Sequence, residues 1–345
     1  MFRRLGGGFF GKILKVGPTV TIRTHAKPPV FRRRMAAVTL VVAALTAGAA
    51  LTAGDEPAAS VYSRRPDGVA TQASAAPAED AVAQAERIVA SSLAVFTRAK
   101  AVSLKFRQKA RVGDRVLVGT GRYVQSGKGE DQRFRFDSTL TCDTETFELT
   151  EVCDGLFCWT HRHNGEEPAT LQRVDVRRVR GKLSSLNAAD AADGTAYLGG
   201  LQRTLRLLRH WFRFSQATPG DLDGTAVWVV DGRWEPVYLP LVLPELKSRA
   251  AEPGGLGPAD LPDGVPWSIR LSIGKGDLVP RRIEWLAIPG KRPVADAPPE
   301  PIAVMDLHDV ELNGSVDATA FFYQPATEGM IDITEMYVNG LGLLR

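Results

Sequence analysis

Acidic residues are absent from the first 54 positions, which hold nine Lys and Arg. Without those nine, 34 of the 43 basic residues remain against 39 acidic ones, a balance of −5 for residues 55–345. The formal net charge of +4 therefore belongs to the N-terminal arm and gives no argument for a nucleic-acid partner. Cysteine is scarce: with only Cys142, Cys153 and Cys158 present, at most one internal disulfide can form. No Cys follows the early apolar run, which excludes a bacterial lipid-attachment signal. The chain also lacks a Gly-x-Ser-x-Gly elbow, a phosphate loop, a His-Glu-x-x-His helix and any fixed-period repeat. Catalysis is left without a visible nucleophile and base, so neither an enzyme nor a cofactor is expected.

What is present begins with an export pattern. Phe31-Arg32-Arg33-Arg34 precedes an uncharged run from Met35 to Thr52, rich in Ala, Val, Leu, Thr and Gly. A basic flank, an apolar stretch and small residues (Ala47, Gly48, Ala49) are what a secretion machinery reads. Residues 1–34 read as a basic arm, 35–54 as a signal peptide or retained signal anchor, and 55–77 as an Ala/Pro/Ser/Gly linker. The working domain is then 78–345, placed in the periplasm or cell envelope and tethered to the inner membrane if the anchor is kept.

Glu79 to Ala99 carries helical period, with Val82, Ala85, Ile88, Val89, Leu93 and Phe96 at spacings of three and four. From Val102 the period becomes two. SLKFRQKA, RVLVGTGRYV, QRFRFDST, TFELTEV, LFCWTHR and TLQRVDVRRV predict six antiparallel strands in a meander, separated early on by turn residues. A weak helical region follows over Lys182–Ala192, and a stronger helix over Tyr197–Phe214 with a Leu198, Leu201, Leu205, Leu208, Phe212 stripe. TAVWVVDG resumes strand. A Pro/Gly-rich stretch from Pro236 to Pro266 leads to the hairpin PWSIRLSIGKGDLVPRRIEWLAI, and IAVMDLHDVELNG is a last long strand. The class is mainly β with helices (α+β). A sheet of nine or ten twisted strands curls, apolar face inward, and the two amphipathic helices cover its concave side.

The inward positions read from the alternation are Leu104, Phe106, Val116, Val118, Phe134 and Phe136, then Phe147, Leu149, Phe157 and Trp159. The late strands add Trp267, Ile269, Leu271, Ile283 and Trp285. They form either a packed core or a cavity for apolar ligands. The lid residues are Ile88 and Leu93 from the first helix and Leu201, Leu205, Leu208 and Phe212 from the second.

An amphipathic helix running into SLKFRQKA, a hairpin ending in GTGRYV, the aromatic RFRF strand, VCDGLFCWTH, and a final strand followed by DATAFFYQPATEGMIDIT together resemble the lipoprotein localisation factors of the LolA/LolB type over about residues 80–338. That resemblance implies a half-open antiparallel β-barrel with a helical lid that holds acyl chains. It implies as partners lipid or lipoprotein acyl chains, a membrane surface and an envelope protein. Carriers of this type close their lid with a barrel-strand arginine, whereas the hairpin region Gln125–Gln132 here offers Lys128 and Glu130. The alternative function is a membrane-anchored envelope sensor or interaction module on the same fold.

Three smaller features complete the reading. Cys153 and Cys158 flank the four-residue turn DGLF and are the disulfide candidate. His161 and His163 share a strand face with Cys158 on the other, and two imidazoles without a third ligand are a poor metal site, so none is expected. In DLHD, His308 is expected to face away from Leu307 and Asp309, its immediate neighbours on a strand.

Overall fold

The computed structural model describes residues 76–186, 197–252, 255–262, 264–287 and 299–341. The segments expected as basic arm, signal or anchor and, as far as residue 75, linker lie outside the described residues. Among the described residues no helix is long and apolar enough to cross a membrane.

The described residues open with α1 (Ala76–Arg98), with Glu79 in its first turn and Arg98 in its last, both favourable to the helix dipole. Six strands follow: β1 (Ala101–Val112), β2 (Arg115–Ser126), β3 (Arg133–Cys142), β4 (Glu145–Cys153), β5 (Phe157–Asn164) and β6 (Thr170–Asp175). Next come α2 (Val176–Leu186), α3 (Gly200–Trp211), β7 (Phe212–Leu222) and β8 (Thr225–Trp234). Two single-turn helices, α4 (Leu239–Val242) and α5 (Lys247–Ala250), precede β9 (Ser268–Gly274), β10 (Pro280–Ala287) and β11 (Glu300–Leu312). A short β12 (Ile331–Asp332) and α6 (Thr334–Gly340) end the described chain.

All twelve strands form one sheet in the order β12-β6-β5-β4-β3-β2-β1-β11-β10-β9-β8-β7. Every pairing is antiparallel except β12 on β6. The sheet does not close: β7 ends one side and β12 the other, which makes it an open half-barrel. The expected meander is β1 to β6. The second half enters at the far edge with β7 and steps back until β11 pairs with β1.

Alternation drives this. In β1, Leu104, Phe106, Gln108, Ala110 and Val112 are buried while Lys105, Arg107, Lys109 and Arg111 are exposed. In β3, Phe134, Phe136, Ser138, Leu140 and Cys142 are buried. Gly121 lies opposite Phe106, and a Cβ there would fall 2.1 Å from the Phe106 ring and 2.3 Å from the Asp137 carbonyl. Glycine thus makes the hole into which that ring fits. The stretch 236–266 carries its own small core of Leu239, Leu243, Leu246 and Val265.

Two strands were not legible. The expected helix over Tyr197–Phe214 stops at Trp211, and Phe212 opens β7. Phe212 and Phe214 are both buried while Arg213 and Ser215 are exposed, a period of two that a helix does not meet. The two-residue β12 lies in the closing segment after residue 318. The strand expected over TLQRVDVRRV also ends early, at Asp175, where its carboxylate accepts the Arg177 and Arg178 N–H groups and starts α2.

Candidate functional site

The concave side of the half-barrel and its two covering helices form the largest apolar assembly among the described residues. Leu104, Phe106, Phe134, Phe136, Leu149, Ile269, Leu271, Ile283 and Trp285 all lie in it. From α1 and α3 come Leu93, Leu201, Leu205 and Leu208, buried, with Ile88 packed alongside, whereas Phe212, expected on the second helix, is buried from the first position of β7. The rings interlock: Phe106 stacks on Phe136 with centroids 4.9 Å apart.

Six of the residues expected inward lie outside that cluster. Val116 and Val118 are 42% and 50% exposed. The two-residue turn after Val112 sets Arg115 opposite it and Leu117 opposite Ala110, so Leu117 goes inward and its valine neighbours point out. Phe147 joins a small separate cluster with Val112, Leu117, Leu140 and Cys142. Phe157 and Trp159 alternate with the core residue Cys158 and so take the outer face. There the Arg173 guanidinium covers Phe157 at 4.7 Å, and Tyr323 meets Trp159 at 6.4 Å. Trp267 precedes β9, half-buried and outside the main cluster.

Polar groups hold the lid helices to the barrel wall. The Phe96 carbonyl, in the last turn of α1, has no helical partner to accept from. It accepts from Gln125 Nε2 of β2 at 2.9 Å and from Gln202 Nε2 of α3 at 3.1 Å. Gln202 Nε2 also donates to Gln125 Oε1 at 2.7 Å, and the Tyr123 hydroxyl donates to the same oxygen at 2.8 Å. One buried node therefore ties both lids to one strand. At the edge, Glu86 of α1 accepts the Phe214 N–H of β7 at 3.0 Å.

A second attachment lies at the start of α3. Glu151 of β4 is 1% exposed and accepts the Gly200 N–H at 2.8 Å. A carboxylate at a helix N-terminus suits the helix dipole. Gly200 has φ +66, and a Cβ there would come within 2.8 Å of the Tyr123 ring, so the helix approaches this closely only with glycine. Burial raises the Glu151 carboxyl to about 7, against the Gly200 hydrogen bond and the charges of Arg203 and Arg162. Burial likewise lowers the Arg162 guanidinium. Arg203 is buried, lies 5.5 Å over the Tyr337 ring, and has no hydrogen-bond partner for its Nε among the described residues. Burial also pushes the Tyr337 phenol up to about 12. None of Glu151, Gln125 and Gln202 is among the site residues expected from the sequence. Their signal was a polar residue at an inward position of an otherwise apolar alternation.

Cys153 and Cys158 stand directly opposite each other on β4 and β5, both buried and both free thiols, so the bridge suggested by their spacing is not formed. The hydrogen bond to Cys153 and burial push the Cys158 thiol up. His161 and His163 are half-buried, and no cluster of metal-ligating side chains occurs among the described residues.

No protein-family model and no curated protein matches this chain. Solved structures do. The Mycobacterium tuberculosis lipoprotein LppX is 9% identical, covers 68% of this chain and 98% of its own, and has a TM-score of 0.31. A putative outer membrane lipoprotein-sorting protein domain from Vibrio parahaemolyticus is 9% identical, with coverages of 78% and 100% and a TM-score of 0.26. A LolA superfamily protein from Nitrosomonas europaea is 10% identical, with coverages of 69% and 97% and a TM-score of 0.26.

Proposed function

We propose that the half-barrel binds lipid acyl chains, free or carried on a lipidated protein, non-covalently on its concave face in the cell envelope, with α1 and α3 as lids. The supporting observation is that this long apolar face is covered by two helices held by a handful of hydrogen bonds. Burying four leucines of α3 contributes on the order of 6–12 kcal/mol. A dozen methylenes contribute about 10 kcal/mol at ~0.8 each. The few lid bonds add about 1 kcal/mol apiece. Exchanging helix side chains for an acyl chain is thus close to balanced, as a carrier that must load and release requires. The interlocked rings of Phe106 and Phe136 favour the second reading, an anchored sensor or interaction module that keeps its lids closed.

Solvent extraction of the purified protein followed by mass spectrometry, with displacement of a fluorescent fatty acid, tests the first reading. Co-purified lipid or saturable displacement supports it. Neither signal, in a protein that melts cooperatively, sinks it in favour of the second.

A further inference from the structure

On the outer face, away from the lids, a cleft of ≈530 Å³ opens between β1, β10, β11 and the tip of the β7–β8 hairpin. Two backbone irregularities shape it. β10 slips register against β9 between Pro280 and Arg282, and β11 slips against β1 where Ser103 and Lys105 face Glu311 and His308. Asp309, at φ +51, lies in the second. Bulges redirect side chains, and here His308 and Asp309, chain neighbours expected to diverge, both line the same cleft.

Its carboxylates are largely engaged. Asp306 accepts from Arg282 Nε, Asp309 pairs with Lys105 at 3.2 Å and with His308 at 3.4 Å, and Arg281 reaches Asp277. The guanidiniums are not exhausted. Arg107 has no hydrogen bond or ion pair among the described residues, although it faces Asp306 in register. Arg281 Nε is buried without a partner. Each guanidinium brings five N–H donors and no acceptor, so donors outnumber acceptors even with Asp223 at the rim. We propose that this cleft binds a phosphate-bearing polar group, with Arg107 and Arg281 as the principal donors and His308 beside them. Paired guanidinium N–H groups match phosphate oxygens, and the cleft is large enough for a phosphorylated headgroup. The site is independent of the acyl-chain reading.

Calorimetry on the purified protein with inorganic phosphate and with glycerol 3-phosphate, and flotation with phosphatidylglycerol or phosphatidylcholine vesicles, tests it. Saturable binding of at least one phosphate probe is expected, weakened about tenfold by Arg107→Gln, as loss of a charge-assisted contact implies. Arg281→Gln should weaken it similarly, and Arg233→Gln, on an exposed position of β8, should not. Glycerol 3-phosphate binding without flotation assigns the site to soluble phosphoesters. Flotation with phosphatidylglycerol that Arg107→Gln abolishes assigns it to a lipid headgroup. Absence of saturable binding to every probe, or binding unchanged in both cleft variants, overturns the proposal.

Discussion

The two faces of the sheet come from alternate residues of the same strands, yet they treat charge in opposite ways. Outside, carboxylates are ringed by arginines: Asp137 accepts from Arg122 Nε at 2.9 Å, from Arg135 Nε at 2.8 Å and from Thr150 at 3.1 Å. Asp231 and Arg270 form a similar pair at 2.7 Å. Inside, Glu151 has one backbone N–H and no ion pair among the described residues. Burial works against Asp137 too, but its hydrogen bonds from Arg135 and Arg122 hold it below its ordinary value. For Glu151 burial prevails. The same side-chain chemistry is thus a surface ornament of at most about 1 kcal/mol on one face and a buried group at the start of α3 on the other.

The hardest blow to the inner face is Leu205→Asp, which puts a charge beneath α3. A loss of about 4–5 kcal/mol, or failure to fold, is expected in a thermal melt. Leu205→Ala, expected to cost about 2–5 kcal/mol, is the milder companion. If the stripe lines a ligand site, fatty-acid affinity of the folded fraction changes as well. An unchanged melt with Leu205→Asp would mean that α3 does not lie on the barrel.

Gly121→Val attacks the barrel wall alone. Its Cβ would overlap both the Phe106 ring and the Asp137 carbonyl, and about 3 kcal/mol of destabilisation is expected. Denaturant unfolding measures it, and a loss under about 0.5 kcal/mol would disprove the packing of Phe106.

Glu151→Gln sharpens the electrostatic contrast. Because the Glu151 carboxyl is raised to about 7, its contribution is fully present below its unfolded value and lost as pH rises through about 7. Arg203, Arg162, Cys153, Cys158, Tyr123 and Tyr337 face it, and the two arginines limit the shift. From pH 5 to 8 the wild type should lose about 2–3 kcal/mol at this site. The glutamine variant, neutral throughout, should not. Identical pH slopes would remove Glu151 from the lid attachment.

The smallest effect is expected on the outer face. The Asp137 carboxyl is lowered, so its contribution is present above the unfolded value and lost as pH falls. Asp137→Asn should cost about 1 kcal/mol or less at pH 7, and less still as falling pH protonates the carboxyl. The two faces therefore respond to acid in opposite directions, and a double variant with Glu151→Gln should show near-additive effects.

Much of this was legible in the residues. The meander β1–β6, the α1 helix and the Leu201–Leu205–Leu208 stripe follow from period alone. The phase of β2 was not, because Val116, Leu117 and Val118 are equally apolar and only the turn at Gly113–Asp114 decides which goes in. The outward placement of Phe157 and Trp159 was hidden for a different reason. A segment about 160 residues away, around Tyr323, covers them on the outside. The shared cleft of His308 and Asp309 depended on a bulge that a regular alternation does not announce.

Alternating polarity and two amphipathic stripes, read along the chain, determined that there would be a curled antiparallel sheet and helices to cover it, because side-chain period is a local property. Register, face and the partners of buried polar groups were decided only by the tertiary structure. Glu151 meets Gly200 forty-nine residues later, and Gln125 meets Gln202 across seventy-seven. Such contacts form when distant segments are packed together, and burial then decides how strongly each one acts.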